Sequence, residues 1–248
     1  MTALDAKDDR PLYETVYEAL RQRITDGSLQ ADRPLSEVQL ADMLSVSRTP
    51  VRDAVRRLVA EKLLIMPARG TVRVYSPTAE ELADLYCTRA ALESMAARLA
   101  AMRADEAFLR RLSAICDRRP CLPEPSGQGA PVIQRDIVHA AVELNGEFHQ
   151  AILEQSGNAR IIHLLENLKP VIVRYRQVSL MFPEHLKQSW DEHRSMIDHF
   201  ADMKPENVEA LVHTHILKAG GRIVATMMRM EVERTAPLTP SMELVLHA

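Results

Sequence analysis

Aromatic residues make up only 4% of this 248-residue chain, glycine occurs eight times and cysteine three. With so few rings, the 46% hydrophobic share must pack a core from Leu, Val, Ile, Ala and Met, a mix that favours helices. Cys87, Cys116 and Cys121 are an odd number with no CxxC pair, which argues against a disulfide framework or a thiolate zinc site and for reduced, structural thiols. No apolar run reaches the roughly 18 residues of a membrane helix, and MTALDAKDDRPLYE lacks the apolar core of a secretion signal. The expectation is a cytoplasmic protein with no membrane partner.

A strong positive charge is also missing, since the net charge is −3. Its distribution is uneven. Residues 1–75 hold 12 Lys/Arg against 11 Asp/Glu, and the remainder holds 19 against 23. Between Ser45 and Arg73 seven basic residues face two acidic ones. Phosphate recognition depends on charges near the backbone rather than on the total, so this local footprint suits nucleic acid.

Periodicity predicts a helix over residues 12–26 through Val16, Leu20 and Ile24, stopped by Gly27. Ser36 is placed to cap a second short helix, EVQLADML, packed through Val38, Leu40 and Leu44. Ser47 precedes a third, with Val51, Ala54, Val55 and Leu58 inward, Arg48, Thr49, Arg52 and Arg56 outward, and Pro50 in the first turn. Two short helices joined tightly, the second opening on Ser, Arg and Thr, form the layout of a helix-turn-helix. Arginine pairs bidentately with guanine, and hydroxyls at a helix start suit phosphate oxygens. LLIMPARGTVRVY then reads as a β-hairpin wing with Arg69 and Gly70 at its tip, fit to approach a minor groove or phosphates. A solvated basic face is the plain alternative for one isolated helix, but the ordered series of helix, helix, basic helix and basic hairpin favours DNA.

LSVSRTPVRDAVRRLVAEKLLIMPARGTVRV resembles the winged helix-turn-helix of the GntR family of bacterial transcription regulators, whose usual run is Gly-Val-Ser-Arg-Thr-Pro-Val-Arg-Glu-Ala. The resemblance implies that Ser47, Arg48, Thr49, Arg52 and wing residue Gly70 contact DNA. Ser45 stands where the family often has Gly, and Val38 where many members have a DNA-contacting Arg. The second difference implies an altered operator preference or a weaker affinity.

After Tyr75 the texture changes to long helical patterns, which places a boundary between residues 1–75 and 76–248. Thr78 and Glu81 form a capping box for a helix whose apolar face holds Leu82, Leu85, Tyr86, Leu92, Ala96 and Leu99. Arg89 and Glu93 fall on that face, either as a buried ion pair or, for Arg89, as an anchor for a carboxylate ligand. Residues 117–135 read as a surface loop. Three later stripes carry one inward histidine each: Val142, Asn145, Phe148, His149, Ile152 and Leu153; Leu186, Trp190, His193, Ile197 and Phe200; Val208, Leu211, Val212, His215 and Ala219. One inward histidine is usually a core residue. Three, with an amide beside one, point to a metal held by imidazoles.

LYCTRAALESMAARLAA, LNGEFHQAILEQSGN, DEHRSMIDHF and HTHI resemble, in order, the motifs of the FCD ligand-binding domain in the FadR-like branch of that family. The resemblance implies a mainly α protein: a winged helix-turn-helix with a small β-hairpin, then an antiparallel all-α bundle that dimerises and binds effector. It also implies a homodimer on a double-stranded DNA operator, and a divalent metal, with zinc or nickel as candidates, held by Asn145, His149, His193 and His215. Arg89 would anchor a small organic acid effector. Asn145 replaces the commoner Asp, and a neutral amide oxygen attracts a cation less strongly. The leading expectation is a repressor released by a carboxylate. Competing readings are a metal-dependent hydrolase or isomerase, since an imidazole-bound metal activates water, and a nucleoid-type binder with little sequence preference.

Overall fold

The computed structural model describes residues 11–25, 27–29, 34–68, 71–121, 133–230 and 240–246. They form two compact units, dividing between Ser76 and Pro77.

In the first unit, α1 (Leu12–Thr25), α2 (Glu37–Leu44) and α3 (Arg48–Ala60) enclose a core that includes Val16, Leu20, Ile24, Leu40, Val55 and Leu58. Strands β1 (Leu35–Ser36), β2 (Leu64–Ala68) and β3 (Thr71–Val74) make an antiparallel sheet in the order β1-β3-β2. Pro67 is tolerated because β2 is an edge strand. Ser36 caps α2 as its position predicts, accepting from Gln39 N at 3.1 Å while its own N–H donates to Gln39 Oε1 at 2.8 Å. Val38 does not pack inward as expected but is 43% exposed. The inward stripe is Glu37, Leu40, Ala41 and Leu44, and Val38 sits about 100° round the helix from Glu37.

The α2–α3 turn is tight because Ser45 adopts the left-handed conformation, φ 56°, and the Val46 N–H reaches back to Ala41 O at 3.0 Å. A Cβ in that region is strained and glycine is not. Ser45→Gly is therefore expected to raise stability by about 0.5–1 kcal/mol, read as a higher urea midpoint at unchanged slope. An unchanged or lowered midpoint contradicts it.

The second unit is a helical bundle of α4 (Ala79–Ala101), α5 (Glu106–Asp117), α6 (Arg135–Ser156), α7 (Ala159–Leu180), α8 (Pro183–Ala201), α9 (Pro205–Met230) and α10 (Pro240–Leu246). The capping box at Thr78 and Glu81 is present, and Asp105 and Asn158 cap α5 and α7. On α4, Leu82, Tyr86, Arg89, Glu93 and Ala96 are buried, whereas Leu85, Leu92 and Leu99 lie half-buried at the edge of the face. The expected stripes of α6 and α8 are buried throughout. On α9, Val208, Val212 and His215 are buried, while Leu211 and Ala219 are half-buried.

Gly220 and Gly221 lie inside α9 because neighbours come too close for a side chain. A Cβ would fall 2.6 Å from Tyr86 Cβ at the first and 2.1 Å from Val245 O at the second. None of Cys87, Cys116 and Cys121 is in a disulfide.

Candidate functional site

On α3, Ser47, Arg48, Thr49 and Arg52 are exposed together at the start of the helix. Ser47 occupies the N-cap position with extended backbone (φ −71°, ψ 164°), but its hydroxyl makes no capping hydrogen bond. The other arginines are engaged. Arg56 lies 3.7 Å from Asp53, and Arg57 pairs with Glu61 at 3.1 Å while stacking 3.9 Å over the Tyr17 ring. Arg48 and Arg52 form no ion pair with a described residue, so their guanidiniums are presented to solvent as donors. Arg69 and Gly70, expected at the wing tip, lie outside the described residues.

In the second unit, α6, α8 and α9 bring His149, His193 and His215 together. All three are buried, and their ligand atoms lie within 4.8 Å of one another. Each ring is held from behind. His149 Nδ1 is 2.8 Å from Glu93 Oε2, and His215 Nδ1 is 2.5 Å from Glu192 Oε2. His193 stacks on Phe148 at 4.1 Å. A carboxylate on one ring nitrogen leaves the other as a lone-pair donor, which is the usual support of a metal-ligating histidine. Burial lowers His149 to about 4, overcoming the opposing pull of Glu93. Burial and the other two rings push His193 well below the usual range. Both are neutral at pH 7, the form that ligates metal. Asn145 lies beside them, donating from Nδ2 to Ser189 Oγ at 3.2 Å and placing the same nitrogen 3.5 Å from His193 Nε2.

Those shifts make stability depend on pH. An unfolded histidine titrates near about 6.5, so between that value and the folded value the unfolded chain holds a proton that the native state does not. This contribution is intact above about pH 6.5 and is lost as pH falls below it, for His149 toward about 4 and for His193 further still. Urea midpoints of the metal-free chain should fall over that window; a flat profile contradicts the burial of neutral rings.

Arg89 is buried and already engaged, with Nε and Nη2 at 2.9 and 2.8 Å from Glu93 Oε1 and the guanidinium 4.8 Å from the Tyr86 ring centroid. Burial would raise Glu93, yet Arg89 and His149 hold it well below the carboxylate range. Arg176 and Arg222 also line the histidine cavity. Burial, with Arg89 nearby, lowers Arg176 to about 10.

Residues 12–74 match the family model described as bacterial regulatory proteins, gntR family, and residues 84–218 match the FCD domain, more than half of the chain. The chain belongs to the gntR family of bacterial regulatory proteins, FCD-domain type. The Nta operon transcriptional regulator of Aminobacter aminovorans is 31% identical, over 74% of this chain and 81% of that one. The HTH-type transcriptional repressor GlaR of Escherichia coli (strain K12) is 25% identical, over 81% and 90%. The fold also matches that of E. coli McbR/YncC, with a TM-score of 0.64 at 19% identity, covering 90% of this chain and 99% of that one. This gntR-family protein is thus a DNA-binding transcription regulator. Its relatives are regulators rather than enzymes, which sets aside the hydrolase or isomerase reading. The two acids nearest the histidines are each hydrogen-bonded to an imidazole rather than open to act as bases.

Three residues of this FCD site were missed by pattern reading. Glu192 precedes His193 on α8 but serves His215 on α9, a contact that no single-helix stripe contains. Arg222 had a readable signal, two turns beyond His215 on the same face of α9. Arg176 lies on α7, where Pro170 interrupts the pattern.

Proposed function

We propose that this regulator binds an inverted-repeat operator as a homodimer and represses, releasing DNA when a small carboxylate binds at or near a metal in the FCD domain. Residues 1–75 recognise DNA, with Ser47, Arg48, Thr49, Arg52, Arg69 and Gly70 at the contact surface, and residues 76–248 sense and dimerise. The protein works in the cytoplasm; no helix among the described residues is long and apolar enough to cross a membrane.

The convergence of three buried histidines, two of them backed by carboxylates, carries the sensor reading. This donor set fits zinc or nickel, because imidazole nitrogens suit late divalent metals. His149, His193 and His215 would hold the ion and supply an electropositive centre for an acid. Asn145 would be the fourth ligand through its amide oxygen; the two amide ends are distinguished only by their hydrogen bonds. Homodimerisation is supported by an apolar face on α4 and α7, where Met95 is 42% and Leu164 51% exposed, beside the half-buried Leu92, Leu99 and Leu168.

The mechanism is linkage: an effector loosens DNA only if it prefers the dimer arrangement whose two recognition helices do not match the half-sites. In operator titrations of the metal-loaded protein against a panel of small carboxylates, at least one acid is expected to weaken binding by about 5- to 150-fold. Unchanged operator affinity with an acid whose saturation is confirmed by calorimetry sinks the release mechanism.

A further inference from the structure

The short helix α10 packs against both α4 and α9, and its seat is built into them. On α4, Cys87 donates from Sγ to Ser241 O at 3.8 Å, while the preceding residue, Tyr86, lines the histidine cavity. On α9, Gly221 meets the end of α10 so closely that a Cβ there would collide with Val245 O. The residue before it, Gly220, lies against Tyr86, and the residue after it, Arg222, lines the cavity. From α10 itself, Met242 and Val245 are buried in the bundle core.

Glycine inside a helix weakens it relative to alanine, so Gly221 is a local cost to α9 that the seating of α10 explains. In return α10 depends on its seat. It has seven residues, far below the roughly 12–15 at which an isolated helix becomes even marginal in water. With two buried side chains and one weak thiol hydrogen bond to hold it, α10 falls at the low end of local opening free energies. The cavity beside it is only about 20 Å³, room for about one water. Anything larger enters only if the walls move, and α4 and α9 supply Tyr86, Arg89, His215, Ile216, Ala219 and Arg222 of those walls.

We propose that α10 is a latch on the histidine cavity. Docked, it clamps α4 to α9 and keeps the imidazoles sealed; undocked, it lets those two walls part and opens the cavity to solvent. Its bearing on effector entry rests on the sensor reading above, whereas the latch itself needs neither acid nor metal. Cys87 reports its state, because undocking removes the Ser241 contact and uncovers the thiol.

The test is chemical labelling of the metal-free full chain at neutral pH, with iodoacetamide for thiols and diethyl pyrocarbonate for imidazoles, each site being followed by peptide mass spectrometry. Gly221→Ala expels α10 from the α9 side and Val245→Asp from its own side. Leu244→Asp, at a position 51% exposed on the same helix, controls for the change in α10 itself. Labelling of Cys87 and of His149, His193 and His215 is expected to quicken at least about tenfold in both docking variants, since it tracks the population of the open state. Buried Cys116 on α5 should stay slow, and Leu244→Asp should match the wild type. Faster labelling of Cys87 with unchanged histidines overturns the latch, because α10 then docks without closing the cavity. Cys87 rates that neither variant alters overturn the docking, and equal quickening at Cys116 means that the whole bundle opens, which overturns it too. Val245→Asp leaves α9 unaltered and decides the matter if Gly221→Ala does not fold. A positive labelling result beside a failed acid titration overturns the effector reading alone.

Discussion

His193→Ala is expected to abolish metal retention and the response to acids while leaving operator affinity within about twofold, because the proposed metal ligands and the proposed DNA-contacting residues lie in separate compact units. His193 is one of three imidazoles that meet within 4.8 Å, and the ring is 1% exposed, so no side chain from solvent can replace it. Loss of a metal ligand should cost more than the roughly 10- to 100-fold that removal of an outer-shell partner costs. The substitution also removes the ring stacked on Phe148 at 4.1 Å and leaves a cavity, so the melting temperature should drop even without metal. Metal content by mass spectrometry and operator binding by fluorescence anisotropy separate these effects. Full metal content in the variant means that the three histidines are not the ligands.

Arg48→Ala and Arg52→Ala are the second pair of substitutions with a large expected effect. Each should cost about 1–3 kcal/mol on a specific operator if it reads a base edge, and much less on random DNA. Both side chains are exposed on the first turns of α3 and pair with no described residue, whereas Arg56 and Arg57 have intramolecular partners. Arg56→Ala therefore serves as a control expected to reduce affinity less and uniformly. Equal losses on operator and random DNA for Arg48→Ala would assign that residue to phosphate contact alone.

The first unit was largely legible because its signals are local. A capping serine, a proline in the first turn of α3 and a short apolar stripe each act within one or two turns, and Ser36, Pro50 and Val55 behave as their positions predict. Strand β1 was not legible: two residues carry no pattern, and its partner residues in β3, Thr71 and Val72, lie far along the chain. Val38 was misassigned because apolar character outweighed angle; Glu37 takes the inward position on that helix.

In the second unit, the inward histidines were readable on their own helices, but their convergence was not. What no stripe contained was the set of contacts between helices. Glu93 on α4 reaches His149 on α6, Glu192 on α8 reaches His215 on α9, and Arg176 on α7 enters the same cavity. The α5, α7 and α10 helices also went unread. For α7 the reason is Pro170, a residue that normally ends a helix but is carried here within a 22-residue element. Arg89 illustrates the limit from the other side. Its place on a buried face suggested either an ion pair or a ligand anchor, and the 2.8 Å contact with Glu93 supports the pair.

Sequence-specific DNA recognition by α3 is the property on which the proposed regulation depends. The most direct measurement is selection of genomic fragments by the purified full chain at moderate salt, run in parallel with Arg48→Ala, followed by sequencing of what is retained. Enrichment of one inverted repeat by the wild type, lost in the variant, is the predicted result. Retention of fragments without sequence preference, equal for both proteins, would contradict it.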